Sequence, residues 1–267
     1  MKKLLAVILS VALIFALSSC ELITGEAKIN ADEVINGAAE ILDGATYITS
    51  VSTVFSSDDE ALGDTIEALG GKGITVLHKG DDLKVKLNAT LGEGVRLNKV
   101  YTVVGDTIYH ESVLTMGEDG VAVKEKASFS ADMREMLLRD AGAAANIGVS
   151  DFEDVNAKRA GSGVIIVECA KIKSDAKGSL LALLSSGLEG SGATLLLSDE
   201  ISYTVELRNS QFHKTTLLAS LTVIIGGESY EMGVSVTETY DYESSVEIEE
   251  PLDIEMYKDV ALENIIG

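Results

Sequence analysis

The feature that most constrains the fold of this 267-residue chain is a set of long alternating segments near its C-terminus. Tyr230, Met232, Val234, Val236, Glu238, Tyr240 and Tyr242 share one side of an extended chain, opposite Glu231, Gly233, Ser235, Thr237, Thr239, Asp241 and Glu243. Upstream, Leu217, Ala219, Leu221, Val223 and Ile225 run into Gly226-Gly227, and Ile201, Tyr203, Val205 and Leu207 alternate with Ser202, Thr204, Glu206 and Arg208. Side chains of a strand point alternately to the two sides of its sheet, so this period of two specifies antiparallel strands with one apolar and one wet face. The glycine pair supplies the left-handed backbone that a tight hairpin turn needs.

Other stretches extend the same architecture. Leu83 to Leu91 alternates against Lys84, Lys86, Asn88 and Thr90 after a Gly80-Asp81-Asp82 turn, and Gly105-Asp106 separates two β-rich runs spanning Val100 to Tyr109. Val113 to Lys126 continues the meander, and Tyr47 to Phe55 reads as a β-branched strand with less distinct faces. A helix is expected after Asn30, with Val34, Ile35, Ala38, Ile41 and Leu42 on one side, Glu33 in its first turn and Gly44 as terminator. Two more are expected at 130–141 and 175–186, ending near Gly142 and Gly187. The stretches 143–149 and 187–194 read as loops. The expected fold is α+β, a large curved antiparallel sheet forming an incomplete barrel, covered on its concave face by these few helices.

The first residues point to a cellular address. Lys2 and Lys3 precede an apolar run from Leu4 to Leu17, followed by Ser18, Ser19 and Cys20, the layout of an export signal. This run of fourteen residues is too short for the roughly 20 apolar residues that span a bilayer as a helix. Leu17-Ser18-Ser19-Cys20 resembles the lipobox of bacterial lipoproteins, which implies cleavage before Cys20 and acylation of that residue, palmitate included. The expected domains are a signal peptide at 1–19, a lipidated tether at 20–29 and a single folded domain at 30–267. The expected location is the cell envelope, on the extracytoplasmic side of a membrane held through the lipid on Cys20.

Composition narrows the function classes. The net charge is −22 and no Lys/Arg cluster is present, which repels phosphate backbones and argues against nucleic-acid binding. With Cys20 lipidated, Cys169 has no cysteine to pair with, and its place in Val164-Ile165-Ile166-Val167-Glu168-Cys169 reads as core. His78, His110 and His213 show no metal-ligand spacing, and no nucleophile elbow, S-x-x-K pair or P-loop occurs, so neither a metal, a cofactor nor an enzymatic activity is expected.

The capped helix with Ala31-Asp32-Glu33-Val34-Ile35, the Val104 to Tyr109 hairpin and the alternating C-terminal strands ending near Pro251 resemble, as a pattern of elements, the lipoprotein-carrier-like superfamily of LolA, LolB and LppX. The resemblance implies a half-barrel whose apolar concave face holds a lipid or acyl chain. Tyr203, Val205, Leu221, Val223, Tyr230, Met232, Val234, Val236 and Tyr240 are the expected ligand-lining residues. The alternative is a structural or interaction lipoprotein of the envelope with a packed core, no ligand, and a protein partner docked on its acidic face or an edge strand.

Overall fold

A computed structural model describes residues 29–59, 62, 72–90, 94–117, 119–140, 147–185, 194–242 and 245–266. The leader, Cys20, the tether through residue 28, the loops at 143–146 and 187–193, and the expected terminators Gly142 and Gly187 lie outside the described residues. Ala31–Gly267 forms one compact unit, to which everything below refers.

That unit is built on one twelve-stranded sheet. The chain runs through α1 (Ala31–Asp43), β1 (Tyr47–Ser56), β2 (Lys72–Lys79), β3 (Asp82–Thr90), β4 (Val95–Val104), β5 (Thr107–Met116) and β6 (Asp119–Ser128). A 3-10 turn at Ala131–Met133 leads into α2 (Arg134–Asp140), followed by β7 (Phe152–Gly161), β8 (Val164–Ile172) and α3 (Ser174–Ser185). The long strands β9 (Thr194–Arg208), β10 (Gln211–Ile225) and β11 (Glu228–Asp241) follow, and β12 (Lys258–Asp259) is a short last strand. Across the sheet the order is β12-β6-β5-β4-β3-β2-β1-β11-β10-β9-β8-β7. Two meanders, β1–β6 and β7–β11, are therefore joined by the antiparallel pair β1·β11, and the sheet is not closed. Every neighbouring pair is antiparallel except β12 with β6.

The turns follow from their residues. Gly226 and Gly227 both have positive φ (62° and 90°) and connect Ile225 to Glu228 across a two-residue loop. The β9–β10 hairpin does the same with Asn209 (φ 51°) and Ser210 (φ 64°), a turn the sequence marks only through asparagine's tolerance of that region. Asn209 N–H also donates to the Gly163 carbonyl at 2.7 Å; Gly163 has φ 72°, and a Cβ there would stand 2.5 Å from Asn209 Oδ1, so a side chain at this position of the β7–β8 turn would be strained and would displace the Asn209 amide. Gly44 does follow α1, but without positive φ; the turn closes instead through Ala45 N–H and the Leu42 carbonyl at 3.1 Å.

The register puts all the alternating apolar residues on one side, here the core face, which carries two clusters. The first joins Val167, Cys169, Leu195, Leu197, Ile201, Val205, Leu207, Leu217, Leu221 and Met232 of β8–β11 with Ala38 of α1 and Leu180 of α3. Burial pushes the Cys169 thiol up to about 11, the behaviour of an inert core cysteine. The second joins Val76, Val85, Tyr101, Val103 and Ile108 of β2–β5 with Leu137 of α2 and with Ile265 and Ile266 near the C-terminus. The chain reaches that point by crossing the opposite, far face. Tyr257 meets Tyr109 edge-on at 5.4 Å and bonds Glu111, Tyr109 Oη donates to Glu250 at 3.1 Å, and Lys124 pairs with Asp253. β12 then lies along Glu125 and Lys126 of β6, and the chain continues to the core face.

Candidate functional site

On β3–β6 the core face is a ladder of cross-strand rows whose cover runs out. Leu83, Val103, Ile108 and Ala127 form the first row and Val85, Tyr101, His110 and Glu125 the second, all within or beside the core under α2. His110 stacks on Tyr101 at 4.9 Å, and its Nδ1 stands 3.5 Å from Glu125 Oε2. The third row is Leu87, Lys99, Ser112 and Val123; the fourth is Ala89, Leu97, Leu114 and Val121; Val95, Met116 and Asp119 end the ladder. Exposure climbs along it, from 0% at Ile108 to 40% at Val123, 63% at Val121 and 56% at Met116. The result is an apolar strip open to solvent and continuous with a buried core. Exposed apolar side chains gathered on one face mark ligand or partner sites far more than scattered ones do. Lys99 is the one cation on these rows, half-buried, with no ion pair among the described residues.

Where the two meanders meet, polar and aromatic groups sit between the cores, which among the described residues share only the partly buried Val236. Tyr47 stacks on His78 at 4.2 Å, and Arg134, at the start of α2, reaches His78 Nδ1 at 2.8 Å and the Gly80 carbonyl at 3.0 Å. A guanidinium only donates, so Nδ1 must be the acceptor of a neutral imidazole. Burial, reinforced by Arg134, accordingly lowers the His78 pKa to about 4. Glu238 lies on the same face, accepting from Tyr240 Oη at 2.8 Å. Burial raises its pKa despite hydrogen bonds from Tyr240 and Thr215. Burial also pushes Tyr47 up to about 12 and drives Tyr203 and Tyr240 upward.

The register brings all nine expected lining residues onto this face: Leu221 opposite Met232, Val223 opposite Tyr230, and Val236 and Tyr203 each opposite Leu217. Val205, Leu221, Val223, Met232 and Val234 are buried in the first core together with α1 and α3, while Tyr203, Tyr230, Val236 and Tyr240 are partly exposed around it. Phe152 stacks flat on Tyr203 at 5.7 Å, and Phe212 on Tyr240 at 5.4 Å. Tyr230 also borders an open pocket of about 820 Å³ with Ser57, Asp59 and Glu231. Within it Ser57 Oγ donates to the Glu231 carbonyl at 2.6 Å, and Thr222, outside it, donates to the Glu231 carboxylate at 3.0 Å. The residues of the open strip were not singled out by sequence reasoning, although Leu97, Leu114, Val121 and Val123 carry the same alternation in shorter strands. Glu238 is not among the expected lining residues either; its signal is a carboxyl in phase with Val236 and Tyr240. Cys20 lies outside the described residues.

Among the described residues no group of His, Cys, Asp or Glu is placed to hold a metal ion, and no helix is long and apolar enough to cross a membrane. No protein-family model and no curated protein matches the chain. Among solved structures, an inactive mutant of the CurJ dehydratase in complex with a small compound is 10% identical over 79% of this chain and 81% of its own, with a TM-score of 0.14. That likeness carries no argument about fold or activity.

Proposed function

We propose that this is a lipid-anchored protein of the cell envelope that binds or carries a hydrophobic ligand, a lipid or acyl chain, on the core face of its sheet. The sheet curves over that face as a half-barrel of the lipoprotein-carrier kind, with α1, α2 and α3 as partial cover. The observation that carries the reading is the graded exposure of β3–β6, where the rows beneath α2 are closed and the rows beyond it present Leu97, Leu114, Met116, Val121 and Val123 to solvent. An unligated apolar surface of this kind costs about 25 cal/mol for each Å² left wet, and a methylene chain laid along it removes that cost. Of the nine expected lining residues, Val205, Leu221, Val223, Met232 and Val234 pack in the first core, and Tyr203, Tyr230, Val236 and Tyr240 stand at the accessible margin where a ligand would touch them.

The test is gentle purification of residues 21–267, without lipidation, followed by organic extraction and mass spectrometry, together with displacement of a fluorescent fatty-acyl probe. A stoichiometric lipid, lost when Val121 and Val123 are both replaced by Asp, is the expected result. A stably folded protein that is empty and ignores the probe would overturn the reading.

A further inference from the structure

The open strip is not uniformly apolar, and its one cation is placed at the wrong end for mere solubility. Lys99 lies in the third row, next to the covered core, while the more exposed rows beyond it hold Leu97, Leu114, Val121 and Met116. It is flanked by Leu87 on β3 and stands directly opposite Ser112 on β5. Directly opposed residues of antiparallel strands hold their Cβ atoms about 5 Å apart, so an ammonium and a hydroxyl donor can converge on one acceptor. Seven ion pairs occur among the described residues, and none uses Lys99, in a chain with 43 acidic residues to offer. A half-buried lysine between leucines, without a counter-ion among the described residues, is open to one negative charge.

We infer that this site takes the carboxylate of a single-chain fatty acid, its head on Lys99 and Ser112 and its methylene chain laid outward over Leu97, Leu114, Val121 and Met116. This deepens, and rests on, the proposed acyl-binding function. The order of charge and apolar surface selects a separate amphiphile over a bilayer. A membrane surface presents its headgroups in one plane outside its hydrocarbon, and that plane would meet the exposed Met116 and Val121 before the inset Lys99. The net charge of −22 further opposes an anionic bilayer.

The experiment is photolabelling of the full chain in its own membrane, with an octadecanoic acid bearing a chain diazirine and with the matching alcohol, followed by mass-spectrometric mapping of labelled peptides. Wild type is compared with Lys99→Met and Lys99→Arg, each normalised to protein level. The acid is expected to label β4–β6, with roughly tenfold loss in Lys99→Met, as removal of one charge-assisted hydrogen bond implies, and retention in Lys99→Arg. Labelling by the alcohol is expected to be unchanged by either substitution. If acid and alcohol both label β4–β6 and Lys99→Met affects neither, the carboxylate assignment is wrong while acyl binding stands. If neither labels β4–β6, both are wrong.

Discussion

The two meanders of one sheet use the same alternating pattern to opposite ends. Strand β10 has 15 residues and β5 has 10, about 50 and 33 Å at the usual rise. On β8–β11, α1 and α3 have 13 and 12 residues of helix, about 38 Å together, they contribute Ala38 and Leu180 to the core, and Leu195, Leu197, Ile201, Val205, Leu207, Leu217, Ala219, Leu221 and Val223 are buried. On the other meander α2 has 7 residues, about 10 Å, and contributes Leu137 to the core, while Met116, Val121 and Val123 further along β5 and β6 are exposed. Alternation thus decides which side of a strand is apolar; the length of what packs on it decides whether that side is core or surface.

The sharpest way to break this contrast is to remove cover from the half that has little. Ending the chain at Asp259 deletes Ile265 and Ile266, both buried against β2–β5, and is expected to cost about 4 kcal/mol in denaturant unfolding. Hydrogen exchange should quicken in β4–β6 first; equal loss in β9–β10 would show that the halves are not distinct in stability. Next, Leu221→Ala in the filled core should cost about 3 kcal/mol, whereas Val121→Ala in the open strip should change stability by less than about 0.5 kcal/mol while weakening acyl binding.

The junction between the halves is tested by pH. His78 titrates near 6.5 when unfolded and at about 4 when folded, so its contribution is complete above 6.5 and is lost as pH falls through 4. The shift corresponds to about 3 kcal/mol, and His78→Gln should flatten the acid limb of the stability profile by that order. Glu238 has the opposite sign: its raised folded pKa favours the protonated form, so stability falls as pH rises above the ordinary carboxylate range. Glu238→Gln keeps an acceptor for Tyr240 and should remove that decline, the smallest of these effects; an unchanged profile would place Glu238 in contact with water.

Much of this was legible in residues, and the reasons differ by region. The β9–β11 strands were plain because Ile201 to Tyr242 alternates for three full strands with Gly226-Gly227 between two of them. β7 was not, because its Glu153, Asp154, Lys158 and Arg159 are the charges an edge strand carries against pairing, and they hide its period. β12 is two residues long, and its parallel pairing with β6 has no local signal at all. For the site, sequence placed the nine chosen residues on one face, yet periodicity predicts burial and says nothing of how far a helix reaches. Lys99 shows the same limit: that it stands between Leu87 and Ser112, with no ion pair among the described residues, is a property of the sheet register.

The pairing of β1 with β11 also sets when this protein can exist. Val51 hydrogen-bonds alongside Glu238, so the central ladder of the sheet joins the first strand of the body to its last long one. Nearly the whole chain must have emerged before that ladder can zip, and contacts so distant in sequence make for slow assembly. Until then the β1–β6 meander waits with one long edge unpaired and its apolar face bare. Under the export proposed above, that delay keeps the chain competent to cross a membrane unfolded, and chaperones at its destination must hold it for as long as the delay lasts.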